Sequence, residues 1–256
     1  MNTREKAWWI IAGSAAFLGL LLGAKLLVSP KPTCDPEVKA KTVIVLDHSE
    51  AVPAQTIEGI VERTWQYVDK QTVEGELVSV FTLSQLSKKN LKATFSACKP
   101  RKDGNRSIED VKRLKREFEE KFKKPLRNEL EAKIPGSDES PIAQALIDLS
   151  LDDKHFRSTD VTRLLVFSDF IENTPKFSMY KCNDGTKAIQ LFRDSRVGSV
   201  ERPSFVNTDI QMNIIPRHNI TRPVLQCRDK FWIWFFGDMK GSCKKPACLT
   251  PDDLPG

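Results

Sequence analysis

Four oxygen-bearing side chains stand out by type and position: Asp47, Ser49, Ser140 and Asp169. Asp47 closes the apolar run Thr42-Val-Ile-Val-Leu, and Asp169 closes Val161-Thr-Arg-Leu-Leu-Val-Phe-Ser. Short runs of this kind, rich in β-branched residues, read as strands buried on both faces of a sheet. In an open parallel sheet, ligands bind outside the carboxyl ends of the strands, near a switch in strand order. Two carboxylates emerging at one such edge could meet a cation, or could serve a metal-assisted phosphoester hydrolysis. Each aspartate taken alone has a plainer use, which is to cap the turn or helix that follows it. The three histidines, His48, His155 and His218, are scattered and make no HExxH pattern. There is no Gly-rich phosphate loop, and no nucleophile with an activating partner. Binding is therefore the expected use of these oxygens, not catalysis.

The elements that must position them follow from periodicity. Pro53 suits the first turn of a helix, and Ile57, Ile60, Val61, Trp65 and Val68 then form one apolar stripe. Glu76 to Leu83 reads as a second strand, and Lys92 to Ala97 as a third at an edge. Ile108, Val111, Leu114, Phe118 and Phe122 mark a long charged helix that Pro125 interrupts or restarts. Its crowd of lysines and glutamates reads as solvated i,i+4 pairing. Pro141 to Leu149 is a short helix, Val161 to Asp169 the fourth strand and Asp209 to Ile215 the fifth. The long connection between these last two strands holds a short helix near Thr186 to Arg193. Lys230 to Phe236 (KFWIWFF) reads as a helix starting near Pro223, with Phe231, Trp232 and Phe235 inward; a strand or an exposed patch are the other readings. Alternating strands and helices imply an α/β fold with a mostly parallel sheet.

Ahead of this lies Trp8 to Val28, apolar but for Lys25. A bilayer core takes about 20 helical residues, so residues 1–28 read as an N-terminal membrane anchor, with a cleaved signal peptide and a buried helix as rivals. Residues 29–41 carry Pro30, Pro32 and Pro36 and form an extended linker. Six cysteines, Cys34, Cys98, Cys182, Cys227, Cys243 and Cys248, all follow the anchor. Their even number and irregular spacing suit disulfides in an oxidising compartment better than zinc. Of fifteen possible pairings, Cys243 with Cys248 closes the shortest loop. The net charge of +6 is spread along 256 residues without a basic, aromatic-interleaved stripe. Nucleic acid is not an expected partner.

Asp47-His48-Ser49-Glu50-Ala51, then Ser140 before a short helix, then Asp169 after the fourth strand, occur in an order that resembles the metal-ion-dependent adhesion site of the von Willebrand A family. The resemblance runs from about Thr42 to Phe236. It implies a Rossmann-like fold over residues 42–238, with a mostly parallel central sheet flanked by helices and a Cys-containing tail at 239–256. It implies Asp47, Ser49, Ser140 and Asp169 as metal ligands, with Ser140 standing where the family has threonine. Mg2+ or Mn2+ is the implied ion, since magnesium takes hard oxygens in octahedral array. Ala51 departs from the family, which has a second serine there, and so removes one ligand. The expected protein is a membrane-tethered, protein-binding module of adhesion or assembly type, single-pass, with its main domain in the periplasm or outside the cell. Its site is metal-dependent or degenerate, and the alternative is a metal-assisted hydrolase using Asp47 and Asp169.

Overall fold

The run Thr42-Val-Ile-Val-Leu behaves as its composition predicts: every residue from Thr42 to Leu46 is buried. It lies in β1 (Ala40–Leu46), a central strand of a six-stranded sheet. The computed structural model describes residues 34, 38–47, 49–83, 92–104, 110–133, 136–156, 160–203, 205, 207–217, 219–237 and 249–254. The chain divides into two units, residues 1–33 and 34–256, and all that follows concerns the second. The anchor segment 8–28 lies outside the described residues. Among those described, no helix is long and apolar enough to cross a membrane.

The other strands are β2 (Leu77–Thr82), β3 (Phe95–Cys98), β4 (Val161–Ser168), β5 (Thr208–Ile214) and β6 (Leu249–Asp253). Their order is β3-β2-β1-β4-β5-β6. All pairings are parallel except β2 with β3, which is antiparallel and forms an edge. β6 arises within residues 239–256, which the sequence presents only as a tail. Its residues LTPDD include a proline and two aspartates, types depleted in strands, and Pro251 is tolerated because β6 is an edge.

Alternation along β1 splits the core into two layers. Val43 and Val45 face α4 (Ile142–Ser150), α5 (Gly185–Ser195) and α6 (Arg222–Gly237). Ile44 and Leu46 face α1 (Ala54–Gln71), α2 (Val111–Phe118) and α3 (Lys124–Leu130). Pro125 does not end the charged helix. A π-helical turn, Glu119–Lys123, joins α2 to α3 without a break in the chain. The buried residues Phe118, Phe122, Leu126 and Leu130 explain it, since they recur every four positions. An α-helix repeats every 3.6 residues, so a four-residue stripe drifts round its axis. One wider i→i+5 turn returns the stripe to the core.

α6 carries the aromatic run as a helix, and Phe231, Trp232, Phe235 and Phe236 are buried in it. Two disulfides join Cys34 to Cys98 and Cys182 to Cys227. That leaves Cys243 and Cys248, both outside the described residues. The second bridge closes a loop with a sequence separation of 45 residues. Replacing both Cys182 and Cys227 with serine is expected to cost about 2–4 kcal/mol of stability. Urea unfolding of the variant beside the wild type measures it, and an unchanged midpoint and slope would remove the bridge's structural role.

Candidate functional site

The parallel register sets Leu46 opposite Phe167, and the Asp47 N–H extends the ladder by donating to the Phe167 carbonyl at 2.8 Å. Asp47 and Asp169 therefore leave neighbouring strands at the same edge. The chain passes from β1 to β2 on one side, and β4 lies on the other. This is the point where strand order reverses, which is where crevices form in such sheets.

Ser140 reaches the same edge from another loop. Its N–H donates to the Asn173 carbonyl at 2.8 Å, and it accepts from the Asn173 N–H at 3.1 Å, which straps the entry of α4 to the segment following β4. The preceding residues lie against the β1–α1 loop, where the Ser137 N–H donates to the Ser49 carbonyl at 2.8 Å. Gly136 permits that approach, because a Cβ there would stand 2.9 Å from the same carbonyl oxygen.

Asp47 is buried and fully engaged. Its Oδ1 accepts from the Ser49 N–H at 2.9 Å. Its Oδ2 accepts from the Ser140 hydroxyl at 3.1 Å and the Ser168 hydroxyl at 2.7 Å. Ser168 in turn accepts from the Phe170 N–H at 2.8 Å. Asp169 is also buried, with different partners: Oδ1 accepts from the Ile171 N–H at 2.8 Å and Oδ2 from Arg217 Nε at 3.0 Å. Burial, with the Asp47 charge second, pushes the Asp169 carboxyl up to about 6. Arg217 Nη1 lies 3.0 Å from Glu50 Oε2, and the Tyr180 hydroxyl donates to Glu50 Oε1 at 3.3 Å. Arg217 Nη2 is buried and has no hydrogen-bond partner among the described residues.

Structure thus unites Asp47 and Ser140 directly. Ser49 joins through its backbone N–H. Asp169 belongs to the same edge through Arg217. The capping use is present in both aspartates, since one oxygen of each accepts from the backbone N–H two residues on; the other oxygen is held by the Ser140 and Ser168 hydroxyls in Asp47 and by Arg217 in Asp169. Sequence reading assigned no role to Ser168, Glu172, Tyr180 or Arg217. Ser168 was legible as the neighbour of Asp169, whereas Arg217 lies 48 residues further on with no local signal. Glu172 is wholly buried and accepts from the Ala143 N–H at 2.8 Å at the start of α4. Desolvation raises its carboxyl to about 8, opposed by that hydrogen bond and supported by the Asp47 charge.

Phe170 adds strain at this edge, with φ of 59° in a non-glycine residue. Such backbone costs about 1–3 kcal/mol and persists only where its surroundings over-determine it. Ser168 fixes its N–H, and Trp232 Nε1 donates to its carbonyl at 2.7 Å. The aromatic helix α6 thereby holds the turn that carries Asp169.

The four expected ligands do not fit a hard divalent cation in this arrangement. Magnesium needs a near-octahedral oxygen shell at ~2.0–2.1 Å. Here three donors engage Asp47, a guanidinium engages Asp169, and Ala51 offers no side-chain oxygen.

No protein-family model matches the sequence, and no curated protein matches it. The structure is similar to a crystal structure of manganese-loaded Plasmodium vivax TRAP protein, at 13% identity, over 84% of this chain and 69% of that one, with a TM-score of 0.35. The mostly parallel sheet with helices on both faces fits the α/β architecture that the strand and helix pattern implied.

Proposed function

We propose that this chain is a von Willebrand A-like protein-binding module, tethered by residues 8–28, with its main domain outside the cytoplasm. The rim at the carboxyl ends of β1 and β4 is its contact surface. The observation that carries this reading is the convergence of three loops there, from β1–α1, from the entry of α4 and from the turn after β4. Asp47 and Asp169 are 2% and 3% exposed, so they position these loops and touch no partner themselves. The contact falls to exposed neighbours, among them Glu50, Glu139 and Tyr180. Two disulfides support an oxidising compartment. A hydrolase is disfavoured because one carboxylate is held by three donors and the other by a guanidinium, leaving neither poised as a base.

In-cell cross-linking followed by isolation of the intact protein tests the rim. Tyr180→Ala with Glu139→Lys is expected to lose the wild type's captured partner while keeping its melting temperature. Ile233→Ala, exposed on α6, is expected to retain it. Equal capture by all three proteins would place the contact elsewhere.

A further inference from the structure

We infer that Arg217 is the resident cation of this site, joining Asp169 and Glu50 where an adhesion-type site would use a divalent ion, and that the rim is built without metal. The geometry is specific. Arg217 follows β5 by a short loop and turns its guanidinium into the switch point. Nε meets Asp169, whose side chain is 4% exposed, and Nη1 meets Glu50, whose side chain is 51% exposed. One planar group thereby ties the β1–α1 loop to the turn after β4, as a bridging ion would. A guanidinium suits the task because it stays charged when buried and offers several donors in a fixed fork.

Asp47 completes the replacement. Two hydroxyls and a backbone N–H supply its oxygens with donors, so it needs no ion to offset its desolvation. Alanine at position 51 then costs no contact, because no coordination shell asks for a side-chain oxygen there. A divalent ion entering beside Asp169 would face the Arg217 charge at close range in a poorly screened site. Arg217 Nη2, buried and without a partner among the described residues, marks donor capacity that is still open.

This inference rests on the proposed rim for its location only. Its test reads ion binding and not partner capture, so either can fail while the other stands. Mn2+ alone is titrated into the detergent-solubilised full chain, followed by electron paramagnetic resonance and thermal melting. Wild type is expected to show no saturable Mn2+ site and the same melting temperature in chelator as in Mn2+. Arg217→Met keeps the stem and removes the charge. It is expected to melt lower, and to gain one saturable Mn2+ site, at least about tenfold tighter than the residual non-saturable binding of wild type. Mn2+ should raise its melting temperature, and adding Asp169→Asn should abolish that gain. Saturable Mn2+ binding by wild type that is lost in Ser140→Ala would overturn the inference. A folded Arg217→Met that gains no site would do the same. Should Arg217→Met fail to fold, the wild-type titration decides, alongside Arg217→Lys, which keeps a charge and is expected to bind no Mn2+.

Discussion

Phe231→Ala is expected to lower the unfolding free energy by about 3–5 kcal/mol, the usual cost of emptying a buried phenylalanine site. Its ring has no exposed surface. It meets Phe192 edge-on at 5.0 Å and stacks on Phe177 at 5.7 Å and Phe235 at 5.9 Å. These partners come from α5, from α6 itself and from the turn preceding Met179, so the surroundings cannot collapse by moving one element. Aromatic pairs add about 0.5–1.5 kcal/mol beyond area burial, which favours the upper part of the range. Urea unfolding measures the loss. Ile233→Ala is the internal control, because it lies two residues on in the same helix at 62% exposure. That change should stay within about 0.5 kcal/mol. Similar losses for both would mean that α6 does not face the core as described. A large loss at Phe231 also bears on the rim, because its neighbour Trp232 holds the strained carbonyl of Phe170.

The legible parts of this molecule are those set by local periodicity. β1 and β4 announce themselves because each carries four consecutive apolar residues, Val43 to Leu46 and Leu164 to Phe167, as a strand covered on both faces does. α1 and α6 follow from stripes that recur at 3–4 residues. Even the switch point is readable, since two strands ending in aspartate must open at one edge once the sheet is parallel. Other features depend on long-range agreement and leave no local mark. Three of the five β6 residues, Pro251, Asp252 and Asp253, are of types that disfavour strands, and its pairing with β5 decides its state. The disulfide partners are 64 and 45 residues apart, and nothing in the spacing of six cysteines selects them.

Arg217 shows the same limit in charge. Its sequence neighbours, Pro216 and His218, give no hint that it turns inward. Only the sheet order brings the end of β5 beside the end of β4 and makes it the counter-ion of Asp169. The residues that carried the resemblance, Asp47 and Asp169, do leave neighbouring strands at one edge, and Ala51 stands where that family has a second serine.

Stability is expected to fall as pH rises from about 4.5 to about 8, and Glu172 is the main reason. Its carboxyl titrates near 4.5 in an ordinary setting and near 8 in the folded chain. Between those values the folded state holds a proton that the unfolded state has released. The folded chain then binds more protons, so the unfolding free energy decreases with rising pH. The contribution is fully present below about 4.5 and gone above about 8. Each unit of difference is worth about 1.4 kcal/mol, and Glu172 is fully buried, so the total reaches several kcal/mol. Asp169, held near 6 by burial and by Asp47, adds a smaller loss of the same sign between about 4 and 6. Glu172→Gln keeps an oxygen to accept the Ala143 N–H but carries no titrating proton. Its unfolding free energy should vary much less across this window and exceed that of wild type at its upper end. The difference between the two curves isolates residue 172 from every other ionisable group. Parallel curves would mean that Glu172 ionises in the folded chain much as it does unfolded. Its place at the α4 N-terminus would then stabilise the carboxylate enough to offset its burial.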